Sequence, residues 1–181
     1  LHPKKTERLT LRALEQRDAV SWESFVMSEE ATRYFSNDYK MKPELAELWI
    51  NNQLLRYKEN RYGLLGIELN ITNEFLGMCG LLTQEVNGVT ELEIGYHFLP
   101  EYWGKGYATE AARFFKCFGF ENEKAISIVS LIAPKNSSSK KVARRNGMAP
   151  DGSTIHKGDK HIVFRITRQQ YENDKEMPGH E

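Results

Sequence analysis

The stretch HFLPEYWGKGYATEAARFF, residues 97–115, constrains this chain more than any other. A strand-forming run stops at Pro100, glycines stand at 104 and 106, and a helical pattern begins at once. Glycine lets the backbone turn tightly and present consecutive N–H groups, and the helix that follows adds the positive end of its dipole. Such a junction is a seat for a phosphate, with Lys105 in position to add charge. It is also the form of a purely structural strand-to-helix turn, and the residues by themselves leave both readings open. Two better-known phosphate signatures are absent. GKGYAT lacks the GxxxxGK run followed by Ser or Thr, and no third glycine completes GxGxxG.

Around this junction the hydrophobic period switches between two and 3.6. ERLTLRAL, residues 7–14, alternates with Leu9, Leu11 and Ala13 on one face and reads as a first strand. Asp18 stands where a cap would start a helix carrying Trp22, Phe25 and Val26. Residues 33–42 are turn-like, and Pro43 opens a second helix that keeps Leu45, Leu48, Trp49 and Leu55 in phase through about Tyr57. Runs at 62–69, 75–82 and 91–99 read as strands. Asn87 and Gly88 suit a two-residue hairpin turn between the last two. A tight turn there sets Leu82 opposite Glu93, Gly80 opposite Gly95 and Met78 opposite His97, and the facing glycines predict open space beside Glu93. A helix from about Lys105 to Phe118, ended by Gly119, precedes a strand over 125–133, a short polar helix over 136–146 and a last strand over 161–168. The alternation of types predicts one mixed α/β domain over 6–171 with a charged tail at 172–181.

Composition narrows the partners. The 25 Lys and Arg balance 25 Asp and Glu, so there is no global basic field of the kind non-specific nucleic-acid binding needs. Cys79 and Cys117 are too few for a disulfide scaffold or a paired-cysteine metal site and read as reduced, buried thiols. No apolar run approaches the roughly 18 residues of a membrane span, and LHPKKTERLT has no signal-peptide core. The expectation is a cytoplasmic protein with no metal, membrane or nucleic-acid partner.

LEIGYHFLPEYWGKGYATEAARFF resembles the central motif of the GNAT superfamily of N-acetyltransferases, and is most similar to its ribosomal-protein-alanine acetyltransferase branch. TERLTLRAL resembles that branch's first strand, FLGMCGLL its GxxGL strand, NSSSKKVARRNGM its NxxSxxxxxxxGF element and GDKHIVFRITRQQY its closing strand. The resemblance implies a central mixed, mostly antiparallel twisted sheet of about six or seven strands flanked by helices. It also implies acetyl-CoA as cosubstrate, no metal, and acetyl transfer to a primary amine by direct attack in a ternary complex. The implied acceptor is a protein N-terminal α-amine. The alternatives are a small amine (polyamine, amino acid or aminoglycoside) and, in a second class, a non-catalytic acyl-CoA-binding protein. By the same resemblance Trp103, Gly104, Lys105, Gly106, Tyr107 and Ala108 hold the pyrophosphate. Phe98 and Leu99 pair through their backbones with the pantetheine arm, which Asn136 also bonds. Trp103 stands where the family has Gln or Arg, so its contact falls to its backbone N–H.

Glu93 lies on the strand face opposite Leu92 and Ile94 and is the candidate general base, with a solvated or salt-bridged carboxylate at a sheet edge as the alternative. Ser139 shares a helix face with Asn136. By the resemblance it sits near the cofactor sulfur and protonates the departing thiolate; without it, the two read as a helix cap and an incidental serine. From the basic run Lys140, Lys141, Arg144 and Arg145, the candidate phosphate contacts are Lys141 and Arg144. His97 shares the face of Glu93, but four residues of strand put about 13 Å between them, so the two are not a dyad; by the resemblance, which has an aromatic at this position, His97 lines the acceptor pocket, with ordinary packing or surface exposure as the alternative. By the resemblance, the helices and loop that carry Trp22, Tyr34, Tyr39 and Trp49 flank the acceptor groove; Tyr34 and Tyr39, in the turn-rich segment, are the other pocket candidates, while Trp22 and Trp49, at helical spacing, are assigned to the core. Exposed strand edges leave a homodimer open.

Overall fold

The computed structural model describes residues 4–35 and 41–176. Its strands are β1 (Lys4–Lys5), β2 (Leu9–Arg12), β3 (Leu64–Leu69), β4 (Phe75–Val86), β5 (Val89–Phe98), β6 (Ser127–Ile132), β7 (Ala149–His156) and β8 (Asp159–Thr167). They form one sheet in the order β1-β2-β3-β4-β5-β6-β8-β7, antiparallel throughout except between β5 and β6. The helices are α1 (Asp18–Val26), α2 (Glu29–Thr32), α3 (Glu44–Lys58), α4 (Tyr107–Glu121), α5 (Ser137–Arg145) and α6 (Arg168–Glu176). This is the expected mixed α/β, mostly antiparallel architecture. The sheet has eight strands rather than six or seven because the two edge strands, β1 and β7, carry no alternating apolar pattern; both lie largely exposed.

Alternation along the strands builds a core on each face of the sheet. Ile94 and Phe98 of β5 join Leu9, Leu11, Cys79 and Leu81 against Ala111, Phe115 and Phe120 of α4. On the other face Leu64 and Met78 pack with Trp22, Phe25 and Val26 of α1 and Ala46 and Ile50 of α3. Trp22 is fully buried, as expected of a core aromatic, and stacks on Phe25 with ring centroids 4.1 Å apart.

The β4–β5 hairpin has the predicted register: Leu82 faces Glu93, Gly80 faces Gly95 and Met78 faces His97. Of the facing glycines, Gly95 lines an open cavity together with Glu93, whereas Gly80 leaves no room. A Cβ on Gly80 would collide with the Gly63 carbonyl, and Leu82 and Leu64 stand 3.2 and 3.3 Å from where a Cβ of Gly95 would lie, so these glycines serve close approach.

Other local expectations change for identifiable reasons. Asp18 is the first residue of α1 rather than its cap; its carboxylate accepts the Glu15 N–H at 2.8 Å and pairs with Arg12 at 2.8 Å. Gly119 lies inside α4, where it admits the Ile128 side chain of β6; the helix runs on to Glu121. Residues 168–176, expected to close the last strand and begin the tail, form α6, which buries Tyr171 on Phe120 with ring centroids 4.6 Å apart.

Candidate active site

The β5–β6 ladder holds only the pairs Leu92–Ile128 and Glu93–Val129, and beyond them the strands diverge. Side chains take over the backbone groups that lose their partners there. The Ser130 hydroxyl donates to the Ile94 carbonyl at 2.9 Å, and the Glu93 carboxylate accepts the Leu131 N–H at 3.2 Å. Further along β5, parity decides which peptide groups face the cleft. The Leu99 N–H is spent on the Leu76 carbonyl of β4 at 2.9 Å, whereas the Ile94 and Phe98 carbonyls lie on the β6 side, and Tyr96 shares their parity. The cleft-facing pair is therefore Tyr96 and Phe98, not Phe98 and Leu99; Leu99 is buried in the core under α1. Applying the two-residue period to backbone groups as well as side chains would have found Tyr96 in the sequence.

At the mouth of the cleft, residues 100–102 make a 3-10 turn and the chain enters α4 through Gly104, at φ +75°, and Gly106, at φ +84°. A residue with a side chain adopts this left-handed geometry only at a cost. Among the described residues no side chain caps α4, and Gly104, Gly106, Tyr107 and Ala108 all line the cavity, so the N–H groups of the first turn meet it. This donor-rich, positively polarised rim fits a pyrophosphate.

Two residues of that turn do not act as expected. The Trp103 N–H is spent on the Pro100 carbonyl at 3.1 Å, and its indole N–H instead donates to the Phe98 carbonyl at 2.6 Å. Lys105 is not part of the cavity wall; its ammonium lies 5.3 Å from the Tyr102 ring centre. Support comes from Arg8, which the sequence did not single out. It bonds the Lys105 carbonyl at 3.0 Å, covers the Tyr107 ring and pairs with Glu110 at 2.7 Å. Burial alone would raise the Glu110 pKa, but bonds from Thr6 and Arg8 outweigh it and hold that carboxyl below its ordinary value.

On the β6 side, Asn136 caps α5, its Oδ1 accepting the Ser139 N–H at 3.0 Å, and it lines the cavity. Ser139 lines the cavity, and the Tyr96 hydroxyl bonds its carbonyl at 2.9 Å, docking α5 onto β5. Lys141, a candidate phosphate contact, lines the cavity. Arg144 does not; its guanidinium lies over the Phe164 ring at 5.5 Å, and Arg145 lines the cavity instead.

The cavity, about 920 Å³, continues to the other face of the sheet, so Glu93, Ser139 and the Gly104–Ala108 turn share one space. Burial raises the Glu93 pKa, against the opposing effects of Gln84, the Leu131 N–H and the charges of His161 and Lys157. His97 also lines this space, with ring centroids 5.2 Å from Trp49, 5.6 Å from Phe35 and 6.0 Å from Phe25. Burial, reinforced by Lys157, pushes its pKa down to about 4, so the ring is neutral at working pH. Trp49, assigned to the core, also lines the cavity, and the Tyr34 hydroxyl bonds the Lys135 carbonyl at 3.0 Å across its rim. Tyr39 lies outside the described residues.

The sequence reading missed Arg56 and the β7–β8 hairpin, which brings His156, Lys157, Asp159 and His161 to the cavity. One available signal was the Lys157–Gly158 pair, at φ 50° and 85°, a turn form that joins two strands directly. Among the described residues no group of three or more His, Cys, Asp or Glu could hold a metal ion, and no helix is long and apolar enough to cross a membrane.

Comparison with known proteins agrees with this geometry. A family model described as an acetyltransferase (GNAT) domain matches residues 8–149. The uncharacterized protein YkkB of Bacillus subtilis (strain 168) is 34% identical over 158 residues, 87% of this chain and 91% of its own. The solved acetyltransferase of Agrobacterium tumefaciens str. C58 superposes with a TM-score of 0.77 at 27% identity, covering 92% of this chain and 94% of that one. RimL, a ribosomal L7/L12 alpha-N-protein acetyltransferase solved with coenzyme A, shares the fold at a TM-score of 0.73 and 18% identity, covering 92% and 98%. The chain belongs to the GNAT acetyltransferase family. Its activity is acetyl-CoA-dependent acetyl transfer to an amine.

Proposed function

We propose that this protein acetylates an α-amine, with Glu93 carrying the proton and Ser139 serving the leaving group. The observation that carries this reading is the buried Glu93 carboxylate at the closed end of the β5–β6 cleft, sharing one cavity with the glycine turn. Acetyl-CoA supplies the acetyl group as a thioester. The amine nitrogen forms a bond to the acyl carbon as the carbon–sulfur bond breaks; Glu93 takes the amine proton, directly or through water, and the Ser139 hydroxyl gives one to the thiolate as it regains one from water. The Gly104–Ala108 turn and Lys141 hold the phosphates, and the Tyr96 and Phe98 peptide groups align the pantetheine arm.

An α-amine, with a pKa near 8, needs less help to lose its proton than a lysine near 10.4, which suits a single carboxylate base. A protein N-terminus is the acceptor in the branch this sequence resembles, and RimL, which shares the fold, carries that activity in its name. A non-catalytic role fits less well, because Glu93 and Ser139 both line the open cavity. The test is acetyl transfer, followed by thiol release, to peptides with a free α-amine, to the same peptides with that amine blocked and a lysine added, and to spermidine. Turnover of the first set alone supports the α-amine reading; turnover of spermidine or lysine alone overturns it.

A further inference from the structure

The charges around Glu93 narrow the acceptor. On α3, Trp49, Gln53 and Arg56 fall on one stripe facing the cavity. The Gln53 side chain accepts the Leu64 N–H at 2.9 Å, and the Arg56 guanidinium donates to the Tyr62 carbonyl at 3.1 Å, which fixes the end of this stripe over the start of β3. Leu64 pairs with Gly80 and Leu82 with Glu93, so Tyr62, two residues ahead of Leu64, continues the row that crosses β4 at Leu82 and reaches β5 at Glu93. Two strand spacings, about 10 Å, separate the ends of that row, and Arg56 and Glu93 line the same cavity with their charges acting on each other.

The neighbouring charges are accounted for differently. Glu30 pairs with Arg33 at 3.3 Å, and Arg61 pairs with Glu59 at 2.5 Å. Arg56 has no ion pair among the described residues; its burial and the charge of Arg61 press against its positive form, while the more distant charges of Glu59 and Glu93 favour it. The β7–β8 hairpin faces Glu93 with Lys157, His156 and His161, alongside Asp159. A half-buried guanidinium with no directly paired carboxylate is a receptor for one, because its planar fork matches that group.

We propose that the acceptor carries a carboxylate close to its amine, and that Arg56 receives this carboxylate while Glu93 receives the amine proton. The inference rests on the α-amine reading and specifies its substrate class. An amino acid's own carboxylate and an acidic side chain next to a peptide N-terminus supply the same chemistry.

The probes are conjugates in which the CoA sulfur is joined through an acetyl linker to the α-amine of L-alanine, L-alaninamide, Ala-Asp-amide or Ala-Asn-amide. Titration calorimetry on the whole protein reads their affinities without turnover. The carboxylate member of one pair should bind about 10- to 100-fold more tightly than its neutral partner, and Arg56→Gln should bring the two within about twofold. Arg56→Lys, which keeps the charge without the fork, should retain part of the preference, and affinity for CoA alone checks that each variant is folded. A preference in the alanine pair assigns the site to a free amino acid; one in the dipeptide pair assigns it to an acidic N-terminus. Equal affinities within both pairs, or a preference that survives Arg56→Gln, overturn the inference. A preference that holds while no α-amine is acetylated leaves the carboxylate site standing and overturns the α-amine reading.

Discussion

The Glu93 carboxylate accepts the Leu131 N–H at 3.2 Å, at the first position where β5 and β6 no longer pair. The candidate base thus also terminates a ladder, standing in for the carbonyl that a continuing strand would have offered. Glutamine keeps the acceptor oxygen that Leu131 needs, so Glu93→Gln separates the charge from the architecture.

If Glu93 is the base, Glu93→Gln should lower transfer at neutral pH by about 10²- to 10⁴-fold, with much of the loss recovered at high pH where the free amine predominates. The rate profile of the wild type from pH 5 to 10 should show its acidic limb above the ordinary 4.5 of a glutamate, because burial raises this carboxyl. Unchanged kinetics in the variant would leave water and backbone carbonyls as the proton path.

Stability should move the other way. The folded-state pKa of Glu93 lies above its unfolded value, so its favourable contribution is complete below about 4.5 and is lost as pH rises through the raised value. Thermal unfolding of Glu93→Gln should therefore match the wild type near pH 4 and exceed it at pH 8. A lower melting temperature at pH 8 would mean that the ionised carboxylate stabilises the fork.

Glu110 has the opposite sign. Its bonds with Thr6 and Arg8 hold its folded pKa below 4.5, so its stabilisation is present above that value and fades as pH falls through the lowered one. Glu110→Gln should lower the melting temperature at pH 7, with the difference narrowing toward pH 3. CoA titration should show weakened binding as well, because Arg8 braces the glycine turn through the Lys105 carbonyl.

Gly106→Val should abolish CoA binding in calorimetry while the circular dichroism of the helices persists, because valine resists φ +84° at the entry to α4. Retained affinity in that variant would move the phosphate site away from the turn.

Ser139→Ala should lower kcat with little change in acetyl-CoA affinity or melting temperature. The Ser139 N–H and carbonyl are bonded to Asn136 and Tyr96, and both of these bonds survive loss of the hydroxyl. A wild-type kcat would remove Ser139 from the chemistry.

Trp103→Phe removes the indole N–H that occupies the Phe98 carbonyl. Affinity for CoA should rise by several-fold, the order of one neutral hydrogen bond no longer competed for. Weaker binding would instead make the indole part of the cofactor seat.

The readable parts of the molecule were those set by local chemistry. Asn87 and Gly88 fixed the hairpin register and so the partners of Glu93 and His97. Parity carried over to side chains but was not applied to peptide groups, which is why Leu99 stood in for Tyr96. Gly119 looked like a helix end because glycine commonly stops helices; only the packing of Ile128 explains it. The Arg8–Glu110 brace joins residues 102 positions apart, and Arg56 reaches the site through the placement of α3 over β3, so neither leaves a local trace.

The fork turns β5 into an edge strand in the middle of a sheet. Natural edges are blunted with lysines, prolines or bulges, since an open row of peptide groups templates aggregation. Those devices would obstruct a ligand here, so protection has to come from recess and brevity. The diverging stretch ends at Phe98, α5 stands beside it through the Tyr96–Ser139 bond, and the Trp103 indole covers the last carbonyl. In amide exchange, Tyr96 and Phe98 should behave as surface amides between protected neighbours until CoA arrives, when slow exchange should extend across the gap and the sheet should protect as though it had gained a strand.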